Sequence, residues 1–168
     1  KTVRYTVVPV SAAGCAGAPL DVVLTVNPEP VMDPSLATAT ICSRDKLNIT
    51  LGTNGVSVAA LNYDITLVSK DASLTGVPTT GTTLTASAIR NDSYINLTSL
   101  PLTVVYQVIP RSAAGCVGSP MTITVTVNPE PVMSPALDNT ICSGEISNII
   151  LSTDGTSVSA ASYKLVSL

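Results

Sequence analysis

Between residues 38 and 128 apolar and polar side chains alternate in short runs broken by glycine, proline and asparagine. Ile123, Val125 and Val127 alternate with Thr122, Thr124 and Thr126, which puts one side of that segment in a core and the other in water. The same reading predicts strands over 38–43, 47–51, 62–68, 82–89, 94–97, 103–109 and 121–127. Turn signals fall between them at Asn54-Gly55, Gly76-Val-Pro78, Asn91-Asp92 and Ala113-Ala-Gly115. No helical period competes with this pattern. Seven short strands in about 100 residues predict an all-β, immunoglobulin-like sandwich.

The pattern recurs. Residues 1–32 match 102–133 at an offset of 101, with 20 identities, and residues 40–68 match 140–168 at an offset of 100, with 13. Tyr5-x-Val-x-Pro9-x-Ser-Ala-Ala-Gly-Cys15-x-Gly17 returns as Tyr106-x-Val-x-Pro110-x-Ser-Ala-Ala-Gly-Cys116-x-Gly118. Both copies run into an identical Thr-Val-Asn-Pro-Glu-Pro-Val-Met. Two prolines spaced two apart deny ladder donors and favour extended geometry, so Asn27–Pro30 and Asn128–Pro131 are expected to be semi-rigid linkers. Cut there, the chain is read as tandem sandwiches: 1–28 is the C-terminal part of one repeat, 31–129 a complete repeat, and 132–168 the N-terminal part of a third. Such partial repeats would each leave an apolar face uncovered.

Composition narrows the chemistry. The 168 residues are 45% hydrophobic and 11% charged, with no His. Absence of His removes Ser-His-Asp and Cys-His catalysis, so no enzyme is expected and no cofactor. A net charge of -3 with eight scattered basic residues gives no footprint for nucleic acid. No apolar run approaches the roughly 20 residues of a membrane span, so no membrane insertion is expected. Few charges and many Ser, Thr and Asn suit an exported protein. The chain opens at Lys1 within a strand-like run, and is read as a piece of a longer protein or as lying far behind a signal peptide. Among the carboxylates no calcium-loop pattern exists and no metal site is expected; Glu29 and Asp33, flanking the first linker, are read as solvated linker charge, with a cation between domains as the alternative. Asn48, Asn91 and Asn96 head N-glycan triplets, and Lys46 and Lys70 are candidates for an isopeptide staple. Tyr63 and Tyr106 are expected in the core and Tyr94 at the surface. The loop 70–83 is the expected place for any ligand contact.

The Thr-Ile-Cys-Ser start, the Gly-Cys-x-Gly motif and the closing Asn-Pro-Glu-Pro resemble the PKD-like, immunoglobulin-like tandem repeats of giant Bacteroidetes cell-surface adhesins, of the SprB gliding-motility type. Arg44 departs from the Cys-Ser-Gly that Gly144 keeps. The resemblance implies export, attachment at the outer surface, and a filamentous adhesin whose partners are neighbouring repeats and surface polysaccharide. It also implies O-glycosylation at Asp-Ser or Asp-Thr, for which Ser93 in Asp92-Ser93 is the one match. A spacer or carbohydrate-binding module of a large secreted enzyme is the alternative.

Four cysteines allow three pairings. If every repeat uses its cysteines alike, either Cys42 joins Cys116 within the domain, or Cys15 joins Cys42 and Cys116 joins Cys142 across the linkers. In a seven-strand sandwich the first strand starts at the same end as the loop joining the last two strands, so Cys42 in that strand and Cys116 in that loop are expected to meet. The expected disulfide is therefore Cys42–Cys116, with Cys15 and Cys142 pairing outside this window.

Overall fold

The computed structural model describes residues 1–167. β1 (Thr2–Val7) and β2 (Leu20–Thr25) form an antiparallel hairpin that makes a sheet of its own. Asp33 then accepts a hydrogen bond from the Ser35 amide at 2.9 Å and starts a single 3-10 turn, Pro34–Ala37. Five strands follow: β3 (Thr38–Cys42), β4 (Ala60–Lys70), β5 (Gly81–Leu84), β6 (Leu102–Ser112) and β7 (Met121–Asn128). They make one sheet in the order β3-β7-β6-β4-β5, antiparallel except for β3, which runs parallel to β7.

Alternation decides which face of that sheet is dry. Along β6 Val104, Tyr106, Val108 and Pro110 are fully buried, and along β7 Ile123, Val125 and Val127 are. The intervening Thr122, Thr124 and Thr126 face the other way, as their period of two requires. Opposite this face lies a second layer built from extended segments held by scattered backbone bonds. Leu47 N donates to Asp92 O (2.9 Å), Leu51 N to Ala86 O (2.8 Å), and Thr75 and Ile95 exchange bonds at 3.1 and 2.8 Å. Leu47, Ile49 and Leu51 point inward from it, beside Leu74, Ile89 and Tyr94, and close the core. The molecule is an all-β sandwich.

Three of the seven expected strands are not regular ones. The segment 47–51 keeps its inward alternation, but Asn48 sits at φ +54°, outside the pleat. The strand expected over 82–89 stops at Leu84, and residues 85–92 wind through three successive turns that carry Ile89 into the core. The segment 94–97 forms a single isolated bridge, Ile95 with Thr75, rather than a strand. Residues 132–167 form no strand, and retain one bridge, between Met133 and Thr153.

Candidate functional site

The two Asn-Pro-Glu-Pro segments are docked rather than free, each on a different end of the sandwich. At the first, Pro30 is fully buried and Gly118 lies so close beneath it that a Cβ would stand 1.9 Å from the Pro30 carbonyl oxygen. The Cys116 thiol in the same β6–β7 turn is 3.9 Å from the Asn27 carbonyl oxygen. At the second, Ser43 N donates to Asn128 O (2.9 Å) and Glu130 N to Asn96 O (3.0 Å). Arg44 Nε donates to both carboxylate oxygens of Glu130, at 2.9 and 2.8 Å. These hydrogen bonds hold the Glu130 carboxyl below the usual carboxylate range and raise the Arg44 guanidinium. The two segments have the same sequence, and one is held at the start of the sandwich by the β6–β7 turn and the other at the end of β7 by the residues that follow β3. The docking of these segments was missed in the sequence; its signal was the Gly-Cys-x-Gly turn itself, where Gly118 is the residue small enough to admit a chain.

The fold does not bring Cys42 and Cys116 together. The parallel register of β3 and β7 sets Cys42 opposite Asn128, at the C-terminal end of β7, whereas Cys116 precedes the start of β7. Eight residues at about 3.3 Å separate the two ends by roughly 26 Å, and a disulfide needs Cα atoms within about 7 Å. The expectation argued from the end at which the first strand starts, whereas Cys42 is the last residue of β3 and lies at the far end of that strand, beside Asn128. Cys15, in the turn of the β1–β2 hairpin, stands to β2 as Cys116 stands to β7. Cys15, Cys42 and Cys142 are exposed and Cys116 half-buried, all as free thiols. A groove of about 580 Å³ opens beside Cys42, lined also by Thr40, Asp45, Leu47 and Asn128.

A buried polar chain crosses the core. Thr79 Oγ1 and N donate to the two oxygens of Asp92 (2.6 and 2.8 Å), Tyr106 Oη donates to Asp92 Oδ2 (2.6 Å), and the Tyr94 and Tyr106 hydroxyls bond one another. Burial pushes Tyr94 up to about 12, and burial together with the Asp92 bond pushes Tyr106 higher still. Tyr94 is thus fully buried, contrary to the sequence expectation, because Tyr106 supplies the partner its hydroxyl needs. Tyr63 and Tyr106 are in the core as expected. Ser93 is exposed, with Asp92 turned inward beneath it. Of the three Asn triplets, Asn48 and Asn91 are exposed, while Asn96 is fully buried with its amide nitrogen donating to Leu100 O and Val127 O.

The remaining candidates are engaged locally. Asp33 caps the 3-10 turn and Glu29 is exposed. Lys46 is exposed against Asn91, and Lys70 donates to the Leu74 carbonyl. The segment 70–83 is woven into the second layer through Leu74, Thr75 and Thr79, leaving Val77 as its most exposed apolar tip. Asp64 on β4 takes bonds from Arg111 (2.7 Å) and from the Thr83 amide (3.0 Å), the first of which chiefly lowers its pKa. Among the described residues no group of three His, Cys, Asp or Glu is placed to hold a metal ion, and no helix is long and apolar enough to cross a membrane.

A family model described as the PKD-like domain matches residues 1–30 and 39–131. Neither the curated proteins nor the solved structures contain a match.

Proposed function

From a chain that belongs to the PKD-like domain family, an extracellular, structural or adhesion-type domain, we propose a segment of a tandem array that forms a long filament at the cell surface. The observation that supports this reading is that two copies of one segment dock on opposite ends of the same sandwich. A junction gripped by Ser43, Arg44 and Asn96 on one side and by Gly118 and Cys116 on the other holds consecutive domains at one angle. Repetition of a fixed angle generates an extended fibre. In this reading the chain has no catalytic role, its partners are its own neighbouring repeats and surface polysaccharide, and the array serves attachment in a gliding cell. The hydroxyl-rich, charge-poor faces of the sandwich suit weak repeated contacts with polysaccharide.

Negative-stain imaging of the native assembly tests this. A thin fibre with a repeat of roughly 35 to 45 Å is expected, from strands of about 8 to 11 residues at 3.3 Å plus the linker. Compact particles carrying a separate catalytic domain would replace this reading with a spacer in a secreted enzyme.

A further inference from the structure

Asn27 and Asn128 occupy the same position of the repeat, and each has a cysteine beside it. Asn128 ends β7, and Cys42 faces it across the parallel β3–β7 pair, with the next amide, Ser43 N, bonded to the Asn128 carbonyl. Asn27 is approached from the other side, by Cys116 of the domain that the linker enters, whose Sγ is 3.9 Å from the Asn27 carbonyl oxygen. Transferring either environment onto the other linker puts both cysteines around one asparagine. Cys42 lies one strand spacing, about 4.8 Å, from its asparagine, and the Cys116 sulfur lies 3.9 Å from the carbonyl of the other, so both cysteines are confined to the immediate surroundings of the same residue of the repeat. We infer that consecutive repeats are joined by disulfides, the Cys42 of one repeat bonding the residue equivalent to Cys116 in the next, and Cys116 bonding the residue equivalent to Cys42 in the repeat before. This rests on the tandem-array reading.

Two features independent of the sulfur atoms agree with that pairing. Gly118, two residues from Cys116, already touches the entering linker, so the turn sits at the junction for steric reasons. The groove beside Cys42 leaves the exit end of the domain open to receive such a turn. Exposure suits the chemistry, since Cys42 is solvent-accessible and Cys116 half-accessible. A disulfide-bearing thiol oxidoreductase of the exported compartment would supply the oxidation. One cysteine thiolate attacks the donor disulfide, releasing one donor thiolate; the second cysteine thiolate then attacks the mixed disulfide and releases the other. The repeat pair loses two electrons and two protons, and the donor leaves as the dithiol.

Peptide mapping of the native full-length chain, alkylated before digestion and never reduced, decides the pairing. Cys116 is expected linked to a Thr-Ile-Cys-Ser type peptide of the preceding repeat, and Cys42 to a Gly-Cys-x-Gly type peptide of the following one. A Cys42–Cys116 link, a Cys15–Cys42 link, or alkylated free Cys42 and Cys116 would each overturn the inference. In the full-length Cys42→Ser variant one new thiol should become labelled, in the Gly-Cys-x-Gly turn of the following repeat, while Cys116 stays bonded; labelling at Cys116 overturns it. A chain with flanking copies but an intradomain bond would sink this pairing and leave the array standing. Peptides that contain no further copies would remove the array, and this pairing with it.

Discussion

Tyr106 is where a single hydroxyl joins two buried polar groups. Its loss in Tyr106→Phe leaves the Tyr94 hydroxyl without its partner in the core and removes one of the bonds to Asp92, which Thr79 continues to satisfy in part. Leaving a buried polar group unpaired costs about 1–3 kcal/mol, so denaturant unfolding should show a loss of that size. Tyr94→Phe removes a terminal hydroxyl and orphans nothing else, and should cost less. Asp64 supplies the pH dependence. Its folded pKa lies below the ordinary value of 3.8 because Arg111 and the Thr83 amide favour the carboxylate. The stabilisation is therefore present in full above the unfolded value and disappears as pH falls through the folded one, below about 4. Melting temperature followed from pH 6 to pH 2 should fall less steeply in Asp64→Asn than in the parent. The core tyrosine at 94 was illegible for a reason visible in its neighbours. In Tyr94-Ile-Asn-Leu97 the binary pattern assigns Ile95 and Leu97 to the core, yet Tyr94 and Asn96 are fully buried and Leu97 is 48% exposed. Polar side chains took the inward positions because Tyr106, Val127 and Leu100 offer partners, and partners distant in sequence leave no mark on a local pattern.

At the scale of elements, the strands with clean alternation were legible, and the end of the sandwich that Cys42 occupies was not. β6 and β7 announce themselves in Tyr106-x-Val108 and in Ile123-x-Val125-x-Val127, since each buries one whole face. β3 has five residues and two inward side chains, Ala39 and Ile41. It starts at the end of the sandwich where β7 starts, but Cys42 is its last residue and therefore lies at the opposite end from Cys116. The β6–β7 turn offers an internal control on how much docking matters. Gly118 and Gly17 hold the same position of the repeat, and a Cβ at either would crowd the proline before it, at 2.8 and 2.9 Å. At Gly118 alone the Cβ also meets the backbone of the entering linker, 1.9 Å from the Pro30 oxygen. Backbone cannot swing aside as a side chain tip can, so Gly118→Ala should destabilise the 31–129 domain by about 1–3 kcal/mol through overpacking. Gly17→Ala should leave that unfolding transition unmoved. Chemical denaturation of the two variants side by side measures the difference, and equal effects would mean that the linker contributes nothing to the domain.

Over the whole molecule, near-identical sequence meets two different environments. Tyr5, Val7, Val22 and Leu24 on the β1–β2 hairpin are 53%, 49%, 46% and 51% exposed, and their counterparts Tyr106, Val108, Ile123 and Val125 are all at 0%. The strands pair in the same register, Tyr5 with Val22 as Tyr106 with Ile123, so local propensity and ladder hydrogen bonds are matched and tertiary cover is the variable. An isolated two-stranded hairpin is marginal in water, whereas strands inside a five-stranded sheet with a covered face share the stability of the domain. Met133, Leu151 and Tyr163 at the other end repeat the contrast, each 41–45% exposed where Met32, Leu51 and Tyr63 are buried. Expressed as residues 1–168, the chain should therefore show one cooperative unit flanked by two weakly held ends. Amide hydrogen exchange followed by mass spectrometry should find residues 104–108 and 123–127 exchanging only through global unfolding. Residues 3–7 and 22–26 should exchange orders of magnitude faster despite their matching sequence. Equal protection of the two hairpins at dilute concentration would mean that the exposed face is covered, and association between molecules would then appear as protection that rises with protein concentration.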